Sequence, residues 1–144
     1  MAASGFTLYN LAKKKLCDGT LDLDTDVFIA VLLQSASNAE TTTLGTYGSL
    51  TNEVANGNGY TTGGKSLTSI TWAAGASSGE YRFDAADFTQ TAVAGTISSV
   101  KYLVIKSSTN HLLCWMRLSS AQFDLTSAQV MTVQFSSNGI FELN

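Results

Sequence analysis

With 144 residues, 44% hydrophobic and 13% charged, the chain has the composition of one globular domain around one core, neither disordered nor fibrous. A net charge of −3, with Lys13, Lys14 and Lys15 as the only basic run, argues against nucleic acid, whose phosphates require a concentrated basic face. The longest apolar run, Val27 to Leu33, is far shorter than the roughly 20 residues that cross a bilayer, so no membrane partner is expected.

The first ten residues lack the basic start and long apolar middle of a secretory leader, which predicts folding in a reducing cytoplasm. Cys17 and Cys114 lie far apart, and in that compartment they are expected as buried thiols, with a bridge left open by the sequence. Leu8, Leu11, Ala12 and Leu16 recur at helical spacing and predict one short amphipathic helix over 5–17, with Ser4 as its cap and Gly19 as its stop. The three lysines fall off the apolar stripe and read as a solvated face. D-V-F-I-A-V-L-L-Q (26–34) is rich in β-branched residues and predicts a strand buried on both faces. Residues 35–64 are polar and rich in Gly, Asn and Thr, a long irregular excursion with a helical turn expected between Leu44 and Val54.

Strand patterns fill the rest. In S-L-T-S-I-T-W-A, Leu67 is out of phase with Ile70 and Trp72, which predicts a bulge or twist. E-Y-R-F-D-A alternates Tyr81, Phe83 and Ala85 against Arg82 and Asp84. V-K-Y-L-V-I-K (100–106) and H-L-L-C-W-M-R-L (111–118) flank S-S-T-N and predict a hairpin. V-M-T-V-Q-F puts Met131, Val133 and Phe135 on one face, and Asn138-Gly139 marks a tight turn before I-F-E-L. The fold class is mainly β: a sandwich or flattened barrel of roughly six to eight mostly antiparallel strands after one helix, a single domain over 1–144.

G-Y-T-T-G-G-K-S (Gly59 to Ser66, including Lys65) matches G-x-x-x-x-G-K-[ST], the phosphate-binding loop. That loop needs a buried strand before it, a helix after it and a magnesium-binding Asp at a strand end. Here polar residues precede it and a β pattern follows, while the apolar strands end in Gln34 and Lys106, so no nucleotide is expected. Its glycines read instead as bends at positive φ, and Lys65 as a solvated strand-edge charge. D-L-D-T-D (22–26) starts like a calcium loop but has Val27 where Gly is required and Leu33 at position twelve; Asp22, Asp24 and Asp26 are expected along one solvated strand edge. The lone His111, in a hairpin turn, has no nucleophile elbow to serve. Asp84 and Asp87 read as loop acids rather than an acid–base pair. Trp72, Trp115, Tyr60 and Tyr81 could stack on sugars, but core or interface is the plainer reading. No catalytic residue, metal or cofactor is assigned.

L-Y-N-L-A-K-K-K-L-C-D-G-T-L-D-L-D-T-D-V-F-I-A-V-L-L resembles the opening of small virion proteins of tailed bacteriophages, in which a lysine-bearing helix leads through D-G-T into a strand ending in L-L. L-T-N-E-V-A-N-G-N-G-Y-T-T-G-G-K-S-L resembles the next block of that family, with Glu53-Val54 and then its most specific part, the G-Y-T-x-G-G-K-x-L bend. Y-R-F-D-A-A-D-F-T, Y-L-V-I-K and S-S-N-G-I-F-E-L resemble its later stretches, so the likeness runs along nearly the whole chain. Cys17, Cys114 and a Ser/Thr-rich middle depart from the pattern and supply no activity. The resemblance implies a non-enzymatic part of the virion, made in the bacterial host cytoplasm: an auxiliary protein on the outside of the head with the major capsid protein as partner. The alternative is a tail or fibre component that contacts a receptor or glycan. β-Sandwiches with exposed edges can associate, commonly as cyclic oligomers, and a trimer at the capsid's local threefold points is expected. The candidate contact elements are the arm Met1 to Phe6 and the loop Asn38 to Tyr60, with Phe6, Leu44, Tyr47, Leu50 and Tyr60 as candidate contact residues.

Overall fold

The apolar run after Asp26 becomes the middle of the molecule. In the computed structural model, which describes residues 5–143, that run is a strand with a sheet neighbour on either side. In chain order the elements are β1 (Thr7–Leu8), α1 (Asn10–Cys17), β2 (Phe28–Gln34), β3 (Lys65–Ser66), β4 (Thr71–Ala74), β5 (Tyr81–Asp84) and β6 (Phe88–Thr91). Then follow β7 (Ile97–Ser107), β8 (Leu112–Arg117), β9 (Phe123–Leu125), β10 (Val130–Val133) and β11 (Phe141–Leu143).

All pairings are antiparallel. The main sheet has the order β1-β8-β7-β2-β3, with β9 continuing along β7 beyond β8. A two-stranded ribbon, β10-β6, and a three-stranded sheet, β11-β5-β4, complete a sandwich-like architecture with no closed barrel.

Register separates the two faces of the main sheet, because cross-strand partners share a face. One face carries Phe28, Ala30 and Leu32 opposite Ser107, Ile105 and Leu103. It packs on the three-stranded sheet through an aromatic stack, Phe28 to Phe83 at 5.1 Å and Phe83 to Phe141 at 5.3 Å. The other face carries Ile29, Val31 and Leu33 opposite Lys106, Val104 and Tyr102, and the excursion 35–64 lies across it. With both faces covered, Phe28 and Ala30 to Leu33 are all buried, as a continuous apolar run requires. Each large side chain so enclosed stabilises the fold by roughly 1.5–3 kcal/mol. One core cluster extends from Tyr9 to Ile140.

Several elements differ from the sequence expectation. Thr7 and Leu8, expected within the helix, form a short strand instead, because Leu8 pairs with Cys114 and the Tyr9 amide donates to the Leu113 carbonyl at 3.1 Å. The expected cap Ser4 lies outside the described residues. The helix does end as expected: Asp18 bonds back to Lys14, and Gly19 turns the chain at φ +77°. Asp22 to Asp26 form a turn, not a strand edge: the Asp22 carboxylate accepts from the amides of Asp24 and Thr25, and that of Asp26 from the amide of Asp22. The phase break after Leu67 is a change of sheet. Leu67 still bonds to Phe28 in the main sheet, Ser69 sits at φ +53°, and the next strand, β4, belongs to the three-stranded sheet. β6 and β9 were not foreseen, and β7 starts at Ile97 rather than Val100. The expected β7–β8 hairpin is present, with Asn110 at φ +67° in its turn. Asn138-Gly139 turns the chain between two sheets, from β10 to β11.

Candidate functional site

The block that reads like a phosphate loop has a different occupant. Its central acceptor is the carboxylate of Glu53. The Gly63 amide donates to Glu53 Oε1 at 2.7 Å, the Tyr60 hydroxyl donates to the same oxygen at 2.7 Å, and the Tyr47 hydroxyl donates to Oε2. The Tyr60 oxygen in turn accepts from the Leu32 amide at 3.1 Å, which ties the loop to β2. The amide that would cradle phosphate is therefore already used by a carboxylate of the same chain. No helix follows: β3 does, and the Lys65 ammonium donates to the Thr89 carbonyl at 3.2 Å, bridging the main sheet to the ribbon.

Gly64 makes the bend possible. At φ +87° its backbone lies so close to β2 that a Cβ would overlap the Ala30 carbonyl oxygen. Lys106 completes the cluster. It is only 4% exposed, its ammonium lies 4.6 Å from the centre of the Tyr47 ring, and it donates to Asn110 Oδ1 at 3.0 Å. Burial lowers its pKa, and the Glu53 charge pulls the other way. Burial is also the main reason that the Tyr47 and Tyr60 hydroxyls are held neutral, with their bonds to Glu53 next; Tyr47 is pushed up to about 12. In the sequence Glu53 stands out only as part of the block that carries the phage resemblance, and Lys106 only as the end of an apolar strand. The available signal was a lysine ending an apolar strand whose two faces both need covering.

The other candidates are dispersed. Tyr60, expected as a contact residue, is 3% exposed and belongs to the interior, so it offers a partner almost nothing. Leu44, Tyr47 and Leu50 are half-buried against the core, and Phe6 packs on Phe135 at 5.8 Å; Met1 to Ser4 of the arm lie outside the described residues. Lys15 is not simply solvated: its ammonium reaches His111 Nδ1 at 2.8 Å, tying α1 to the hairpin turn. Asp84 accepts from the Ala85 amide and Asp87 from the Phe135 amide, each in a structural role. Cys114 is a buried thiol, raised well above its usual range by burial, whereas Cys17 is exposed rather than buried; both are free. Of the four aromatics that could stack on sugars, only Trp72 and Tyr81 come together, at 5.6 Å; Trp115 packs on Tyr102 instead. Among the described residues no group of three or more His, Cys, Asp or Glu could hold a metal ion, and no helix is long and apolar enough to cross a membrane.

No family model matches the chain, and no curated protein or solved structure matches it either.

Proposed function

We propose that this chain is a non-enzymatic structural protein of a tailed-phage virion, seated on the outside of the assembled head as a homo-oligomer, most plainly a trimer, and stabilising it. The observation that carries this reading is the Glu53 cluster. The block most specific to the phage resemblance is given over to internal bracing: it locks a thirty-residue excursion onto the sheet and leaves no free phosphate cradle. Such bracing suits a rigid body whose task is to bind. A protein that binds only the assembled lattice stabilises that state by mass action, which needs stiffness and an interface but no catalytic group. Half-exposed apolar side chains, among them Val93, Val130, Tyr81 and Leu143, are available for such contacts.

The test is co-sedimentation of purified protein with phage heads and with unassembled capsid subunits. Pelleting with heads alone supports the reading; no pelleting with heads rejects it. A second reading, a tail or fibre component that engages a glycan, has one specific foothold in the Trp72–Tyr81 pair. Glycan-array binding lost in Trp72→Ala would favour it.

A further inference from the structure

The three-stranded sheet ends in two open edges: among the described residues β4 and β11 pair only with β5. Both run antiparallel to β5 and therefore parallel to each other. The register places Trp72, Phe83 and Phe141 on one face together with Ala74, Tyr81 and Leu143. Phe83 is fully buried, but Tyr81 and Leu143 are 50% and 41% exposed. That face thus runs on past the core and is left uncovered at its end. Beside it lies a groove of about 330 Å³ lined chiefly by Leu16, Leu21, Leu23, Trp72 and Leu143.

The β4 edge is equipped to pair. The Gly75 amide donates to the Glu80 carbonyl at 2.8 Å. Alternation along the ladder then turns the amides of Thr71 and Ala73 toward β5 and those of Trp72 and Ala74 outward. No charged residue and no proline occurs from Ser66 to Gly79, so β4, though only four residues long, lacks the charges and prolines that commonly keep an open edge from pairing. Charge and the need to cover both edges together select the strand it meets. β11 carries Glu142, whose carboxyl shares a hydrogen bond with Glu80 and is pushed up by it. Two β11 edges would bring Glu142 of each copy together, a like-charge contact that Arg82 opposite it only partly offsets, and two β4 edges would leave β11 open in every copy; β4 against β11 sets the uncharged Thr71 to Ala74 beside Glu142.

We propose that the uncharged β4 edge and the Tyr81–Leu143 end of this sheet bind a second copy of the chain head to tail, β4 of one copy pairing in parallel with β11 of the next. A rotation axis along the strands produces that pairing and closes a ring in which both open edges of every copy are used. Each joint lays Trp72 and Ala74 of one copy beside Phe141 and Leu143 of the next and continues the aromatic face across the boundary. Ring size alone rests on the virion reading, which calls for three copies.

Light scattering on the purified chain tests this. The wild type should have the mass of three chains. Ala74→Pro, which removes an outward amide and leaves the β5 ladder intact, should give one chain with an unchanged near-ultraviolet circular dichroism spectrum. Thr132→Pro, at an exposed position of β10, should leave the trimer whole. If Ala74→Pro disturbs the spectrum, Ala73→Lys, which sets a charge beside the same edge, carries the comparison. A monomeric or dimeric wild type, or a trimer that survives both β4 variants, would overturn the proposal. Head binding is measured separately: a monomer that still pellets with heads removes the ring and keeps the virion function, and a trimer that ignores heads does the reverse.

Discussion

At the scale of single residues, Glu53 is the acceptor on which three donors converge. Glu53→Ala leaves the Tyr60 hydroxyl, the Gly63 amide and the Tyr47 hydroxyl without their acceptor in a largely enclosed site. Bonds to a charged group contribute about 1.5–3 kcal/mol, so a loss of roughly 3 kcal/mol is expected in urea unfolding. Tyr47→Phe removes one of these bonds and should cost about 1.5 kcal/mol by the same measurement. The tyrosines also predict how stability changes in alkali. Tyr47 is raised from 10.0 to about 12, and Tyr9 and Tyr60 move in the same direction, all chiefly through burial. With the folded value above the unfolded one, the unfolded chain loses its proton first. The stabilising contribution is therefore complete below pH 10.0 and is lost as pH rises through about 12 for Tyr47. Phenolate absorbance should consequently rise together with loss of the near-ultraviolet circular dichroism signal, and Tyr47→Phe should weaken the pH dependence across that window. Thiol labelling separates the two cysteines: Cys17 should react in the native protein and Cys114 only after denaturation.

At the scale of elements, the Gly63-Gly64 bend decides whether the excursion can dock. Both glycines have positive φ, but only Gly64 would carry a Cβ into β2; at Gly63 the space is open. Gly63→Ala should cost only the left-handed backbone penalty, about 1–2 kcal/mol. Gly64→Ala adds a backbone overlap that cannot relax locally and should cost appreciably more, with the difference read as a larger drop in melting temperature. This contrast also shows what the sequence could reveal. β2, the β7–β8 hairpin and β10 were legible because burial on one or both faces imposes a periodicity on their residues. β6 reads F-T-Q-T, and its inward Gln90 is buried by donating to the Gly59 carbonyl, so polarity concealed the alternation. β9 has three residues, too few for any period. The start of α1 was misplaced because Leu8 fits both a helical stripe and the strand that pairs with β8, and the distant partner prevailed. The failure of the phosphate motif was legible from its flanks. The identity of the group that replaces the phosphate was not, because Glu53 reaches Gly63 only once the chain has folded back on itself.

At the scale of the whole molecule, charge is unevenly distributed. Much of it is concentrated between Lys13 and Asp26 and around Glu80 to Asp87, whereas Phe88 to Val100 and Leu125 to Phe141 carry none. An uncharged β surface on a braced scaffold fits close packing against protein better than the handling of a charged substrate. The proposed seat on the head and the proposed β4–β11 joint use this scaffold at different levels, and each can fail without the other. The most direct test of the central claim is immunogold electron microscopy of purified virions with antibody to this chain. Gold spread over the whole head is the expected result. Gold confined to the tail, or absent from the particle, would contradict it.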